Sequence, residues 1–216
     1  MSANQQSYKK SSFGPAFFFL GKRRREALAN YYEFCRRMDD IADEPDVPDP
    51  AGQLAPWREE IGRMYRGEAQ TELGRRLAAD AQLFSIPPDR FLLLIEGMQA
   101  DLEGCPYQTQ AELDWYIYRV AVAVGLATLD IVGLQGPAAD ELALRQGTAV
   151  QLTNIIRDVP DDARMGRVYL PDDLLARFGL TRQDVLENRN PRGLAAVLQE
   201  LAARTQEGYA RAFAWM

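Results

Sequence analysis

The segment from Thr109 to Leu134 constrains the fold most. It spaces its apolar residues as a long helix and, after Trp115, is apolar on most sides. Ala121, Ala123, Gly125 and Ala127 leave room for another backbone to approach closely. A helix without a polar face must be surrounded, so it belongs in the middle of a bundle.

The rest of the chain agrees with that placement. Its apolar spacing is helical almost everywhere, and alternating Val/Ile/Thr-rich segments bounded by turn signals are lacking. In PPDRFLLLIEGMQADLEG, Pro87 and Pro88 suit a helix start, and Phe91, Leu94, Ile95, Met98 and Leu102 recur at intervals of three and four. Further helices are expected at about 22 to 44, 53 to 66, 71 to 84, 138 to 159, 172 to 178 and 192 to 215. Breaks fall at PDVPDP, SIPPD, LQGPA and RNPRG. An all-α fold follows. With 216 residues, 47% of them hydrophobic, and no repeat or long linker, a single domain is expected over 1–216.

Composition narrows the chemistry. The chain has no histidine, which removes Ser-His-Asp and Cys-His catalysis and histidine-bound zinc or haem. Two cysteines outside any C-x-x-C pair argue against a disulfide framework and fit a reducing, cytoplasmic setting. A net charge of -6 is the wrong sign for a general nucleic-acid binder. The run FGPAFFFLG is too short to span a bilayer and is followed by KRRRE rather than a cleavage site, so it is expected to line a buried wall or pocket.

Carboxylates carry the functional signal. In YYEFCRRMDDIADEP, Asp39 and Asp43 stand four apart and share a helix face, with Asp40 and Glu44 in the adjacent row. Acids so close repel one another, and just before Pro45 they also sit at the negative end of the helix dipole. A solvated helix end is the plain alternative, but a bound divalent cation accounts for the cost. The stretch QLTNIIRDVPDD repeats the pattern, with Gln151 preceding Asn154, Asp158 and Asp162 at four-residue steps. Oxygen ligands of this kind suit Mg2+, which takes one or two protein carboxylates and shares the rest of its shell with water and substrate phosphates. Two such faces opposed across a cavity would hold a diphosphate through bridging metals. Pro160 is expected to bend or end the second helix near Val159, which would leave Asp162 to join only through the following turn and Asp161 as a competitor for its place.

Taken in order, SSFGPAFFFLGKRRREAL, YYEFCRRMDDIADE, EGMQADLEG, YIYRVAVAVG and QLTNIIRDVPDDARMGRVYLP resemble the squalene/phytoene synthase family over nearly the whole chain. The resemblance implies an isoprenoid-synthase helical bundle with a central cavity in which two allylic diphosphates react. It implies Mg2+ or Mn2+ at Asp39, Asp43, Asn154, Asp158 and Asp162, with Gln151 supporting the second face. Ser11, Ser12, Tyr32, Arg36 and Arg157 would contact substrate, Phe13, Phe17, Tyr32 and Tyr118 would shape the prenyl pocket, and Tyr118, Arg157 and Tyr169 would serve the reaction. Aromatic faces stabilise a passing cation by ~0.5 to 2 kcal/mol. Arg36 has a competing role as partner of Asp40, four residues on.

The implied activity is head-to-head joining of two farnesyl diphosphates to presqualene diphosphate, with release of pyrophosphate. NADPH would enter only for a reductive second step, and no glycine-rich nucleotide motif is found. A phytoene-type reaction on C20 substrates, a cyclase using one prenyl diphosphate, and a non-catalytic assembly factor are the alternatives. The retained aspartates argue against the last. Two departures stand out. Val122 replaces a family glycine in AVAVG, and would narrow the cavity or alter helix packing according to its direction. The chain also stops at GYARAFAWM, short of the family's last helices, so Tyr209, Phe213 and Trp215 would leave an exposed apolar face unless another element, a second chain or a membrane covers it. A homodimer or a peripheral membrane contact would meet that need.

Overall fold

Spacing of apolar residues at three and four becomes helix throughout the computed structural model, which describes residues 20–43, 46–104 and 107–213. Among the described residues there is no strand. The helices are α1 (Lys22–Asp43), α2 (Pro50–Arg66), α3 (Glu72–Phe84), α4 (Asp89–Leu102), α5 (Gln110–Ile117), a π-helical turn (Tyr118–Val122), α6 (Ala123–Val132), α7 (Pro137–Arg164), α8 (Asp172–Arg177), α9 (Arg182–Leu186) and α10 (Pro191–Phe213). The chain forms two compact units, residues 1–99 with 126–136, and 100–125 with 137–216.

In the first unit α1, α2 and α3 pack on one another. Phe34, Met38, Ile61, Leu77 and Phe91 are fully buried, and the rings of Phe34 and Phe91 meet edge to face with centroids 5.4 Å apart. Aromatic pairs in that geometry add to the free energy of burial. Two buried acids tie the helices together. Asp80 accepts from Asn30 Nδ2 at 2.7 Å, and Glu60 accepts from the backbone of Gln70 and Thr71 and from Arg63.

In the second unit α10 lies along α7, and the π turn and α5 pack on α7 as well. Leu113, Ile117, Leu152, Leu170 and Val197 fill that core. One of the small residues of the central helix acts as expected: Gly125 faces Ala143 of α7 at van der Waals distance. Val122 is buried against α7 at Gly147, where a Cβ would stand 2.9 Å from the Val122 Cα. Val122 therefore packs against a neighbouring helix, with a glycine opposite. By length and composition the stretch Gln110–Val132 could also cross a membrane, and 44% of its most apolar window is buried inside the protein.

Three expectations need correction. The central helix is not uniform, because the Ala123 N–H reaches back five residues to the Tyr118 carbonyl. The short α9 was not expected. It is capped by Thr181 and Asp184, which exchange side-chain and backbone hydrogen bonds in a capping box. Finally, Pro160 does not end its helix. α7 continues to Arg164 and stops at Gly166, whose φ of +76° and whose N–H to the Ala163 carbonyl form a Schellman closure with the Arg167 N–H on the Asp162 carbonyl at 2.9 Å. Proline removes one donor, and so close to the helix end the remaining turn still closes on its own bonds.

Candidate active site

The first acidic face lies on the last turns of α1. Phe34, Met38 and Ile41 bury one side of the helix, which leaves Asp39 half-buried and Asp43 exposed on the other. Arg36 lies beside Asp40, with Nε 2.9 Å from Oδ1, so the intrahelical pairing expected as its alternative role is present. Arg36 is mostly in solvent and Asp40 is half-exposed, and a pair of that kind contributes little. Tyr32 is 38% exposed and so is not part of the core. Ser11, Ser12, Phe13 and Phe17 lie outside the described residues.

The second acidic face runs along α7. Leu152, Ile155 and Val159 are buried, and they orient the helix so that Gln151, Asn154, Asp158 and Asp162 stand together on its half-exposed side. Because the helix persists through Pro160, Asp162 keeps the four-residue step from Asp158. Asp161 instead is exposed and paired with Arg164. Asn154 Nδ2 donates to Gln151 Oε1 at 3.4 Å. Arg157 forks onto Asp158, with Nε and Nη2 at 2.7 and 2.6 Å from its two oxygens. That hydrogen-bonded pair holds the Asp158 carboxyl below its ordinary range and raises the guanidinium of Arg157.

Among the described residues no three Asp, Glu, His or Cys side chains converge on one point as a self-sufficient metal cage. Asp39 and Asp43 on α1, and Asp158 and Asp162 with Asn154 on α7, are the oxygen-bearing side chains the two faces present.

A third feature escaped the sequence reading. Asp101, on the last turn of α4, is 9% exposed and accepts from two tyrosines, Tyr169 at 2.8 Å and Tyr116 at 3.0 Å. The Tyr169 ring stacks on those of Tyr107 and Tyr116. Burial, followed by the charge of Asp101, pushes the hydroxyls of Tyr116 and Tyr169 well above the ordinary tyrosine value. The cluster borders a cavity of about 90 Å³ with Arg167 and Arg182. Its only signal in the sequence is an acid on the apolar helix that ends in ADLEG. Tyr118, at the π turn, is 38% exposed.

A wider cleft of about 410 Å³ lies between α5, α7 and α10. Its arginines are matched with acids, Arg204 with Asp114, Arg145 with Glu141 and Arg211 with Glu207, which leaves it balanced rather than anion-attracting.

The chain matches the squalene/phytoene synthase family over residues 7–216. It is 36% identical over 214 residues to presqualene diphosphate synthase of Rhodopseudomonas palustris, covering 98% of this chain and 76% of that protein. It is 37% identical over 186 residues to chloroplastic phytoene synthase 1 of Solanum lycopersicum, covering 82% of this chain and 45% of that protein. Squalene synthase HpnC from Alicyclobacillus acidocaldarius superposes with a TM-score of 0.89 at 28% identity, covering 98% of this chain and 81% of that structure. Fold and likeness together define an all-α prenyltransferase. The chain belongs to the squalene/phytoene synthase family, whose members generally use a divalent metal.

Proposed function

We propose that the chain joins two farnesyl diphosphates head-to-head into presqualene diphosphate, releasing pyrophosphate. The observation that carries this reading is the unbroken α7, which keeps Asn154, Asp158 and Asp162 at four-residue steps on a helix whose other side is buried. The similarity to presqualene diphosphate synthases over 98% of the chain supports the substrate choice.

In this reading Asp39 and Asp43 on α1, and Asn154, Asp158 and Asp162 on α7, hold Mg2+, with Mn2+ as the alternative ion. The bound ions would neutralise the diphosphate and stabilise the charge that develops on the leaving group. The protein's own residues do the rest. Arg36 and Arg157 are exposed cations paired with carboxylates. Each exchanges an exposed ion pair for a diphosphate oxygen, which costs little and places positive charge where the leaving group becomes more negative. Gln151 accepts from the Asn154 amide nitrogen at 3.4 Å, which leaves the Asn154 oxygen available as a ligand. Ionisation leaves an allylic cation, the double bond of the second substrate attacks it, and loss of a proton closes the cyclopropane. The family likeness assigns Tyr32, Tyr118, Phe13 and Phe17 to the prenyl chains. Tyr118 and Tyr169 stabilise the cation, and Ser11 and Ser12 bind diphosphate. The hydrophobic product gives a reason for peripheral membrane contact.

Incubation with C15 and C20 diphosphates and Mg2+, with and without NADPH, tests the proposal by pyrophosphate release and product mass. Release with the C15 substrate and a C30 cyclopropyl diphosphate are expected, and both are lost in Asp43→Ala and Asp158→Ala. A folded wild-type protein that releases no pyrophosphate overturns the reading. A C40 product replaces it with the phytoene reaction, and a product from one substrate molecule with a cyclase.

A further inference from the structure

Both oxygens of Asp101 are spoken for: Oδ1 accepts from the Tyr169 hydroxyl and Oδ2 from the Tyr116 hydroxyl. A carboxylate only accepts, so each hydroxyl proton is directed to its own oxygen of Asp101, and the oxygen lone pairs of Tyr169 are left for a donor or a positive charge. The rings pack together: those of Tyr116 and Tyr169 stack at 5.3 Å with 28° between their planes, and Tyr107 packs on both.

The backbone that carries Tyr169 is fixed to the same degree. It leaves α7 directly after the turn that bears Asp162, where the Arg167 N–H bonds the Asp162 carbonyl at 2.9 Å. Arg182 then donates two bonds to the Val168 carbonyl, at 3.1 and 2.8 Å. The N–H groups of Asp172 and Asp173 bond the carbonyls of Tyr107 and Gln108, each at 3.0 Å. A segment held at so many points, with one hydroxyl aimed at a buried charge, has the build of a preorganised group rather than of a loop that happens to pass.

We propose that Asp101 is a positioning residue for the prenyl transfer, acting through Tyr169: by taking the Tyr169 proton into a fixed hydrogen bond, it makes that oxygen an electron-rich acceptor toward the reacting cation. The inference rests on the proposed function. It adds that Tyr169 meets positive charge with lone pairs and never with its proton, which a hydroxyl free to rotate would not guarantee. Asparagine at position 101 would reverse the polarity, since its amide donates at one of the two positions and would occupy a tyrosine lone pair.

The test is steady-state kinetics of pyrophosphate release from farnesyl diphosphate and Mg2+ for wild type, Asp101→Asn, Tyr169→Phe and the double variant, with melting temperatures alongside. Losing a hydrogen bond to a charged group should lower kcat by roughly ten- to a hundredfold in either single variant. KM should stay within about twofold, because the ground state is bound elsewhere. The double variant should be no slower than the slower single one, since both changes remove the same device. Wild-type kcat in Asp101→Asn, or single effects that multiply, overturns the proposal. A melting temperature that falls while kcat per folded molecule holds does so too, by reducing the cluster to a brace. Should Asp101→Asn not fold, Tyr169→Phe decides: unchanged kcat overturns the proposal, and a kcat loss at constant KM supports it. Wild type without turnover overturns the proposed function instead.

Discussion

Replacing Gly147 with alanine should destabilise the protein, although the same change in an open helix position would stabilise it. Alanine is better than glycine in a helix interior by about 1 kcal/mol, and burying its methyl adds about 0.8 kcal/mol. At Gly147 the new Cβ would lie 2.9 Å from the Val122 Cα, 3.1 Å from its Cγ2 and 3.1 Å from its backbone nitrogen. Comfortable carbon contacts begin near ~3.5 Å, so α7 and the π turn must part by roughly half an ångström or more. Because two of these contacts are backbone atoms that cannot turn aside, the cost falls at the upper end of the about 1–3 kcal/mol typical of overpacking, leaving a net loss of about 1 kcal/mol once helix propensity and methyl burial are both credited. Gly125 is the internal control. There the new Cβ meets the Ala143 Cβ at 3.7 Å, an ordinary contact, and the same substitution should stabilise by about 1.5 kcal/mol.

Urea unfolding followed by far-UV circular dichroism separates the two variants through their midpoints at constant m-value. Because two of the three close contacts at Gly147 are backbone atoms, Val122→Ala should relieve only the Cγ2 contact. Gly147→Ala should therefore still be destabilising in a Val122→Ala background. A Gly147→Ala variant as stable as wild type, or one fully rescued by Val122→Ala, would refute a backbone-limited contact.

Asp162→Ala should abolish Mg2+-dependent pyrophosphate release, whereas Asp161→Ala, which removes only an exposed partner of Arg164, should retain it; the reverse result would place the ligand at Asp161. Glu60→Gln should destabilise by about 1–3 kcal/mol, because it weakens a buried acceptor of bonds from Gln70, Thr71 and Arg63. Burial raises the Glu60 carboxyl, but bonds from Thr71, Arg63 and Gln70 outweigh it and hold it below its ordinary 4.5. A depressed acid contributes stability above its unfolded value and loses it as pH falls through the folded one. Melting temperature should thus drop less steeply on acidification below about 4.5 in Glu60→Gln than in wild type, and equal slopes would contradict the assignment.

The acid faces were legible because charge beside buried isoleucine and valine conflicts with helix stability wherever it has no use, and the conflict shows within one turn of sequence. The same locality set the limits. Proline at position 160 carries a strong local rule, yet the helix end was decided six residues later, by a glycine that can adopt a positive φ and close the Schellman bonds. α9 has five residues, too few to display a period, and only the T-x-x-D of its capping box could have marked it. Asp101 is a different case. Its partners stand 15 and 68 residues away, so no window of sequence contains the cluster, and the helix that bears it reads as plain core. Val122 shows how the two kinds of information meet. The sequence poses whether that side chain points at substrate or at a neighbour, and a glycine on α7, unremarkable in its own context, supplies the answer. Short-range chemistry thus marks the acids of α1 and α7, and contacts distant in sequence decide how Val122 packs and what holds Tyr169.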